Sequence, residues 1–294
     1  MTNVVNLGAL LLALALSLVA VARAGGASGR AEGRAETAVR FARIVSLGIT
    51  TDAALAELCE PGRVVGVSAW TTGPLARRWQ GVPRLRGLDD LEAIIALAPD
   101  LVLVNTAGGE GDRLARLRAA GVRVEALGPM SGLDGYARDL ATVGDLLGRG
   151  DEGRAIGKRI HDRLARVADP AAPRPRALYL ATYDGTLFGG TVGTSYHDVL
   201  TAAGCRDAAE GAFTGWPQFS AEQVLTLAPE LVVTKEGMGE RISAIARAPV
   251  IELPGELLED PGPRLLEAAE LLRDRLAERR RAALAAGPGT ATSR

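Results

Sequence analysis

The stretch Leu91-Glu-Ala-Ile-Ile-Ala-Leu-Ala-Pro-Asp-Leu-Val-Leu-Val104 recurs in the second half of the chain as Ala221-Glu-Gln-Val-Leu-Thr-Leu-Ala-Pro-Glu-Leu-Val-Val-Thr234. Each copy has apolar residues at helical spacing, then a proline, then an aliphatic run. Proline disfavours helix at the residue before it, and such a run suits a strand that a parallel sheet buries on both faces. Each copy therefore predicts a helix, a stop and a short buried strand.

Two further pairs of segments match in the same order. Residues 43–48 and the helix predicted after them correspond to residues 176–181 and the helix after those, and residues 120–127 correspond to 248–253. An internal repeat of alternating strands and helices indicates two similar domains, each with a mostly parallel sheet. The sequence therefore predicts an α/β fold with one lobe over residues 43–130, a second over 169–283, and a ligand cleft between them.

The segment between the lobes, residues 131–168, contains no proline and carries apolar residues at helical spacing. This pattern predicts one long connecting helix, with Gly148-Arg-Gly150 as the place where it could break. A proline-rich stretch, residues 169–175, ends it. A helix of this length would join the lobes stiffly.

The overall charge is balanced, with 34 Lys and Arg against 35 Asp and Glu in 294 residues. A chain with a formal net charge of −1 lacks the basic surface that nucleic-acid binding needs. The one dense basic run, residues 279–281, follows an amphipathic helix and is interpreted as its solvated end, with a disordered tail at 284–294. Nucleic acid is therefore not an expected partner.

The N-terminus indicates export. Residues 7–22 are almost wholly apolar and are followed by Ala22-Arg23-Ala24, a small-x-small pattern that signal peptidase cleaves. We expect a signal peptide at 1–24, a flexible leader at 25–42 and a periplasmic protein. The alternative is an uncleaved membrane anchor, because the apolar run is close to the length that crosses a bilayer. No cysteine follows the run, so lipid attachment is not expected.

The sequence carries few signatures of catalysis, of metal binding or of cofactor binding. Cys59 and Cys205 each follow an apolar helical stretch in different lobes, which predicts buried thiols. The Gly-rich turn at residues 189–193 lacks the spacing of a phosphate-binding loop, and neither a metal-ligand pattern nor a nucleophile elbow occurs. We therefore expect no catalytic residue, no cofactor and no resident metal.

Aromatic residues make up 4% of the chain, yet several fall in loops that follow predicted strands. Ligands of parallel α/β sheets bind beyond the carboxyl ends of the strands. Such rings could present flat faces to a ring-containing ligand, or each could cap the core of its own lobe. His197 could bind the metal of a haem-like ligand or simply be solvated. The aromatic candidates are Trp70, Tyr183, Phe188, Tyr196 and Trp216, and the polar candidates in these loops are Thr71 and Asn105.

Over residues 43–275 the chain resembles the helical-backbone class of periplasmic substrate-binding proteins that serve ABC importers of vitamin B12, iron-siderophores and haem. Arg43-Ile-Val-Ser-Leu47, Val64-Val-Gly-Val-Ser68, residues 88–104 and residues 216–233 carry the resemblance. Residues 216–224 are most similar to the members that bind vitamin B12. The resemblance implies a monomer that delivers cobalamin, a siderophore or haem to an ABC importer membrane permease.

The resemblance also implies roles for individual residues. Trp70 and Trp216 match aromatic cleft positions, Glu259 matches a cleft carboxylate, and Glu110 and Glu222 match surface glutamates that dock onto the permease. Glu222 has a second explanation, since Ser220 and Gln223 can form a capping box around it. Asn105 and Thr106 depart from an aromatic position of the vitamin B12 binders, as do Leu257 and Leu258, so the sequence leaves the ligand open.

Two other functions remain as alternatives. An uncleaved N-terminus would make the chain a membrane-anchored ligand-sensing or scaffold domain of the same fold. An enzyme on two α/β lobes has the least support, because no catalytic signature accompanies the fold.

Overall fold

Two α/β lobes follow one another in a computed structural model that describes residues 40–105, 111–167, 169–258 and 262–285. The first lobe has an all-parallel sheet in the order β3-β2-β1-β4-β5. Its elements are β1 (Ile44–Ser46), α1 (Ile49–Leu58), β2 (Val64–Ser68), α2 (Gly73–Arg78), β3 (Arg84–Leu85), α3 (Leu91–Ala96), β4 (Leu101–Asn105), α4 (Gly111–Ala119) and β5 (Arg123–Leu127), with short 3-10 helices at Pro61–Arg63 and Leu88–Asp90.

Two helices, α5 (Gly132–Leu147) and α6 (Gly150–Leu164), connect this lobe to the second. The second sheet runs β11-β10-β6-β7-β9, and β8 pairs with the first half of β6. Its elements are β6 (Arg176–Tyr183), β7 (Thr186–Gly189), α7 (Ser195–Ala202), β8 (Arg206–Asp207), β9 (Gln218–Phe219), α8 (Ala221–Leu227), β10 (Leu231–Lys235), α9 (Gly239–Ala246), β11 (Val250–Leu253), α10 (Gly255–Leu258) and α11 (Leu265–Ala285).

The internal repeat extends to individual hydrogen bonds. Ala98 and Ala228, which precede the two repeated prolines, are both left-handed, with φ of 45° and 43°. The guanidinium of Arg43 donates to the Leu97 carbonyl at 2.6 Å, and that of Arg176 donates to the Leu227 carbonyl at 2.9 Å. Each arginine therefore ties the start of a central strand to the end of the repeated helix, which confirms the predicted two-lobed α/β fold.

The second sheet differs from the prediction because it is mixed. Strand β7 runs antiparallel to β6, and β9 runs antiparallel to β7. Asp184 and Gly185 form the turn between β6 and β7 with φ of 47° and 81°. Positive φ at both central residues is typical of a tight hairpin turn, so an extra hairpin is inserted where the first lobe passes directly from strand to helix.

The connector is interrupted at Gly148-Arg-Gly150, where the sequence allowed a break, and it forms a helical hairpin rather than one long helix. Gly148 ends α5 in the left-handed region with φ of 73°, and the chain reverses within two residues. Gly153 and Gly157 of α6 then lie against the backbone at Leu140 and Ala137 of α5. The absence of a side chain at these glycines lets the two helices pack closely.

The hairpin spans both lobes. Its first helix begins against the second lobe, where the Leu133 amide donates to the Asp198 carboxylate at 2.7 Å. Its turn reaches the first lobe, where the Arg149 guanidinium donates to the Leu58 carbonyl at 2.6 Å. One continuous cluster of buried apolar side chains extends from the first lobe through the hairpin to α11. Two lobes that share a packed core resist hinge motion.

Four other predictions concern the ends of the chain and the thiols. Cys59 and Cys205 are free and buried, as predicted. Phe41, assigned to the flexible leader, is instead buried in the core at 7% exposure. The predicted tail starts inside α11, which continues to Ala285. The predicted signal peptide lies outside the described residues, and none of the helices that the structure describes is long and apolar enough to cross a membrane.

Candidate ligand-binding cleft

A cleft of about 320 Å³ lies between the lobes. The first lobe contributes Ile49, Thr50, Trp70 and Thr72, and the segment leading into α5 contributes Met130 and Gly132. The second lobe contributes Tyr183, Ser195, Tyr196, Trp216 and Leu258. Most of these residues follow the carboxyl ends of strands, which is where parallel α/β sheets bind ligands.

Three large aromatic side chains face the cleft without being covered by protein. Trp70 is 71% exposed, Trp216 is 52% exposed and Tyr183 is 46% exposed. A folded chain normally buries rings of this size, so several exposed ones around one cleft indicate a binding surface. Trp70 lies on the first lobe and the other two on the second, so both walls carry aromatic faces.

The Trp70 loop is fixed by hydrogen bonds beneath it. The Ser68 amide and the Thr71 hydroxyl both donate to the Asp52 carboxylate, the former at 3.1 Å. The Arg84 guanidinium donates to the Thr71 carbonyl. Thr71 was predicted to contact the ligand. It is instead only 2% exposed and points away from the cleft, so it supports the loop.

The aromatic wall of the second lobe is built in layers. Tyr196, at 7% exposure, stacks on Tyr179 with ring centroids 3.7 Å apart and an interplanar angle of 7°. Trp216 meets the Tyr196 ring edge-on at 5.2 Å. The Tyr196 ring therefore joins the core of the lobe to the exposed Trp216.

Tyr183 is held from two sides. Lys235, only 8% exposed at the end of β10, donates to the Tyr183 hydroxyl at 2.8 Å, and its ammonium lies 4.4 Å from the ring centroid. Phe188, half-buried and outside the cleft lining, contacts the Tyr183 ring edge-on at 5.9 Å. Phe188 thus orients a cleft residue instead of lining the cleft itself.

Asn105 also lies one layer behind the cleft. Its amide oxygen accepts from the Thr50 hydroxyl at 2.7 Å, and its amide nitrogen donates to the Asp139 carboxylate at 3.0 Å. Burial raises the pKa of Asp139, and the hydrogen bond from Asn105 opposes this effect. Asn105 therefore positions Thr50, which does line the cleft.

His197 is paired with a carboxylate. Its Nδ1 lies 2.9 Å from a carboxylate oxygen of Asp207, which also accepts from the Thr191 hydroxyl at 2.5 Å. The hydrogen bond to Asp207 raises the pKa of His197. Its ring is not part of the cleft lining, which argues against a role as the ligand of a haem-like metal. No group of three or more metal-ligating side chains occurs in the described part of the chain.

Glu222, one of the two glutamates expected to dock onto the permease, is not among the residues that line the cleft. Glu222 is exposed in the first turn of α8. The capping box around it forms as predicted, with the backbone N–H of Gln223 donating to Ser220 Oγ at 3.1 Å. Glu110, Glu259 and Thr106 lie outside the described residues.

Several residues that line the cleft were not among the candidates predicted from the sequence. Thr50 lies in the first turn of α1, directly after β1, and Thr72 lies in the loop after β2, so the same rule that selected Trp70 could have selected them. Met130 and Gly132 were assigned to the end of the lobe and the start of the connector. They reach the cleft because the hairpin begins at the boundary between the lobes.

Comparison with known proteins places this architecture in a family. A profile of the periplasmic binding proteins matches residues 44–252. The vitamin B12-binding protein of Photorhabdus laumondii is 29% identical over 245 residues, covering 80% of this chain and 87% of that protein. The cobalamin-binding protein of Halobacterium salinarum is 32% identical over 70% of this chain and 57% of that protein.

A solved structure has the same fold. The periplasmic vitamin B12-binding protein of Vibrio cholerae superimposes with a TM-score of 0.65 at 22% identity, over 82% of this chain and 98% of that one. With a matching profile over more than two thirds of its length and two lobes around an aromatic cleft, the chain belongs to the periplasmic binding protein family.

Proposed function

We propose that the chain is the extracytoplasmic solute-binding component of an ABC importer, and that it captures cobalamin or an iron chelate such as a siderophore or haem between its lobes. The observation that carries the proposal is the pair of exposed tryptophans, Trp70 and Trp216, on opposite walls of one cleft. A flat macrocyclic ligand would contact both rings and remove both from water.

The chemistry of the cleft supports a macrocyclic ligand. None of the described residues that line it carries a charged side chain. The side-chain hydroxyls in the lining belong to Thr50, Thr72, Ser195 and the two tyrosines. Such a surface suits a ligand with broad apolar faces and a few neutral polar groups. The vitamin B12-binding relative and the cobalamin-binding relative point to the same ligand class. Glu259 remains a proposed ligand contact.

The connector supports capture without large closure. Because the shared core continues through the α5–α6 hairpin, opening the cleft would separate packed side chains. We therefore propose that the lobes move little on binding and that the protein binds its ligand without chemical change.

Delivery would use the exposed surface of each lobe. We propose that Glu222 on the second lobe and Glu110 on the first contact the permease, that the protein acts as a monomer, and that it works in the periplasm after cleavage of residues 1–24. Exchange of Glu222 for arginine should abolish ligand-dependent stimulation of the importer's ATPase while leaving ligand affinity unchanged.

The binding proposal is tested by titrating the purified protein with cyanocobalamin, haem and a ferric siderophore by calorimetry. We expect at least one to bind with micromolar or tighter affinity. Trp216→Ala should weaken that affinity about 10- to 100-fold, because stacking on an aromatic ring contributes about 1–3 kcal/mol. Leu225→Ala, an exposed apolar residue of α8 outside the cleft, is the matched control and should retain affinity. If none of the three ligands binds, the proposal is wrong.

A further inference from the structure

Asp52 is a buried carboxyl that the binding surface does not include. It lies in the first turn of α1 and has no exposed surface. One of its oxygens, Oδ2, accepts hydrogen bonds from the Ser68 amide and from the Thr71 hydroxyl. These two donors stand on either side of Trp70.

This arrangement ties both ends of the Trp70 loop to one side chain. Only Ala69 and Trp70 lie between the two anchored residues, and the Trp70 amide donates to Ser68 Oγ at 3.2 Å. The indole projects from a segment that is fixed at both ends by the same carboxyl. Loss of that anchor would loosen the segment that carries the cleft-facing Trp70, which would then be held by the Arg84 bond to the Thr71 carbonyl and by the Ala69 amide bond to the Leu85 carbonyl at 2.7 Å.

The carboxyl is poorly compensated when it is ionised. Its second oxygen, Oδ1, is buried without a hydrogen-bond partner in the described structure. Burial raises the pKa of Asp52 to about 7. The Ser46 hydroxyl, the donors from Thr71 and Ser68 and the positive charge of Arg84 act in the opposite direction. Among the other charged groups on the elements around it, Asp139 on α5 is buried. The exposed ones are Asp134, Arg138 and Asp145 on α5, Arg77 and Arg78 on α2, and Glu57 on α1 itself.

We propose that Asp52 is a positioning residue for Trp70, and that the protonated carboxyl holds the loop in its binding geometry while ionisation releases it. If the loop opens, water reaches the carboxylate and ionisation becomes easier. The closed loop therefore binds the proton more tightly than the open loop, so by linkage acidic pH favours the closed loop and rising pH favours the open one. The consequence for ligand affinity rests on the function proposed above.

The test uses 5-fluorotryptophan in the full protein. The chain has three tryptophans, so three fluorine resonances are expected, assigned with single Trp→Phe variants. The Trp70 resonance should titrate with a midpoint near pH 7, and the resonance of Trp79, which is 1% exposed, should not. Asp52→Asn, which stays neutral, should abolish the titration. Asp139→Asn changes a second buried carboxyl, on the connector helix α5, that contacts Asn105 and not the loop, and it should leave the titration intact.

A second variant keeps the test decisive if Asp52→Asn does not fold. Thr71→Val removes one donor to the carboxylate, which disfavours its ionised form, so the midpoint of the Trp70 titration should move to higher pH. A Trp70 resonance that is flat from pH 5 to 9, that still titrates in Asp52→Asn, or whose midpoint does not move in Thr71→Val would overturn the proposal.

Ligand binding separates this proposal from the function on which it rests. Affinity for cyanocobalamin should fall above pH 7, by at most about tenfold per pH unit for release of a single proton, and should be flat in Asp52→Asn. If the Trp70 resonance titrates as expected but cyanocobalamin, haem and a ferric siderophore all fail to bind, the proposed function is wrong and the role of Asp52 stands. If cyanocobalamin binds with a flat pH profile, the role of Asp52 is wrong.

Discussion

Gly153→Ala is the most informative change in the connector. A Cβ at this position would fall on the carbonyl oxygen of Leu140 and lie 2.9 Å from its carbonyl carbon, both atoms of the facing helix backbone. A backbone cannot rotate away as a side chain can, so the two helices must separate. Overpacking of this kind costs about 1–3 kcal/mol, and we take the upper end because the obstacle is backbone. Alanine recovers about 1 kcal/mol through its higher helix propensity.

The expected net loss is about 2 kcal/mol, which corresponds to a fall in Tm of about 4–8 °C for a protein of this size. Urea unfolding followed by circular dichroism measures the free energy, and calorimetry measures Tm. Gly111→Ala is the control, because a Cβ there meets nothing within 4 Å. A Gly153→Ala protein as stable as the wild type, or more stable, would refute the close packing of α5 against α6. A single long helix would predict that stabilisation.

Two further predictions concern local stability and the thiols. Ser220→Ala removes one of the two reciprocal hydrogen bonds of the capping box at α8 and should lower the free energy of unfolding by about 1 kcal/mol, measured by urea titration; an unchanged midpoint would contradict the capping role. Cys59 and Cys205 should resist Ellman's reagent in the native protein at pH 8, because both are buried and burial raises the pKa of Cys205 to about 12. Both should react in denaturant, whereas rapid native labelling would contradict their burial.

The sequence predicted the fold where the determinants are local. The two Ala-Pro junctions, Ala98-Pro99 and Ala228-Pro229, mark a helix end followed by a buried strand, and both junctions have the same backbone conformation in the structure. The aromatic loop residues Trp70, Tyr183, Tyr196 and Trp216 followed from the rule that ligands lie beyond strand ends, and all four line one cleft.

The sequence located the possible break in the connector at residues 148–150 but did not predict that the chain reverses there, because its apolar pattern does not change at the turn. Both α5 and α6 bury one face in the same core, so helical periodicity continues across Gly148 and favours a single helix. The missing clue was the set of glycines on either side, Gly144, Gly153 and Gly157, whose positions lie close to the partner helix or the turn. The Asp184-Gly185 hairpin was missed although that dipeptide between two apolar runs is typical of such turns.

The supporting layer of the cleft could not be predicted from local sequence. Asp52 looks like an ordinary first-turn carboxylate, and its partners lie 16 and 19 residues further along the chain. Thr71 adjoins Trp70 in sequence, but the two side chains point in opposite directions, one to Asp52 and one to the cleft. Contacts of this kind become visible only when the sheet has brought α1 and the loop after β2 together.

The central claim, that the ligand lies between the lobes against both tryptophans, is tested most directly by oxidative footprinting with mass spectrometry. Free protein should be oxidised at Trp70 and Trp216, which are 71% and 52% exposed, and spared at Trp79, which is 1% exposed. Saturating ligand should protect Trp70 and Trp216 together, with one affinity. Protection of only one of them, or of neither, at saturation would contradict binding in the cleft.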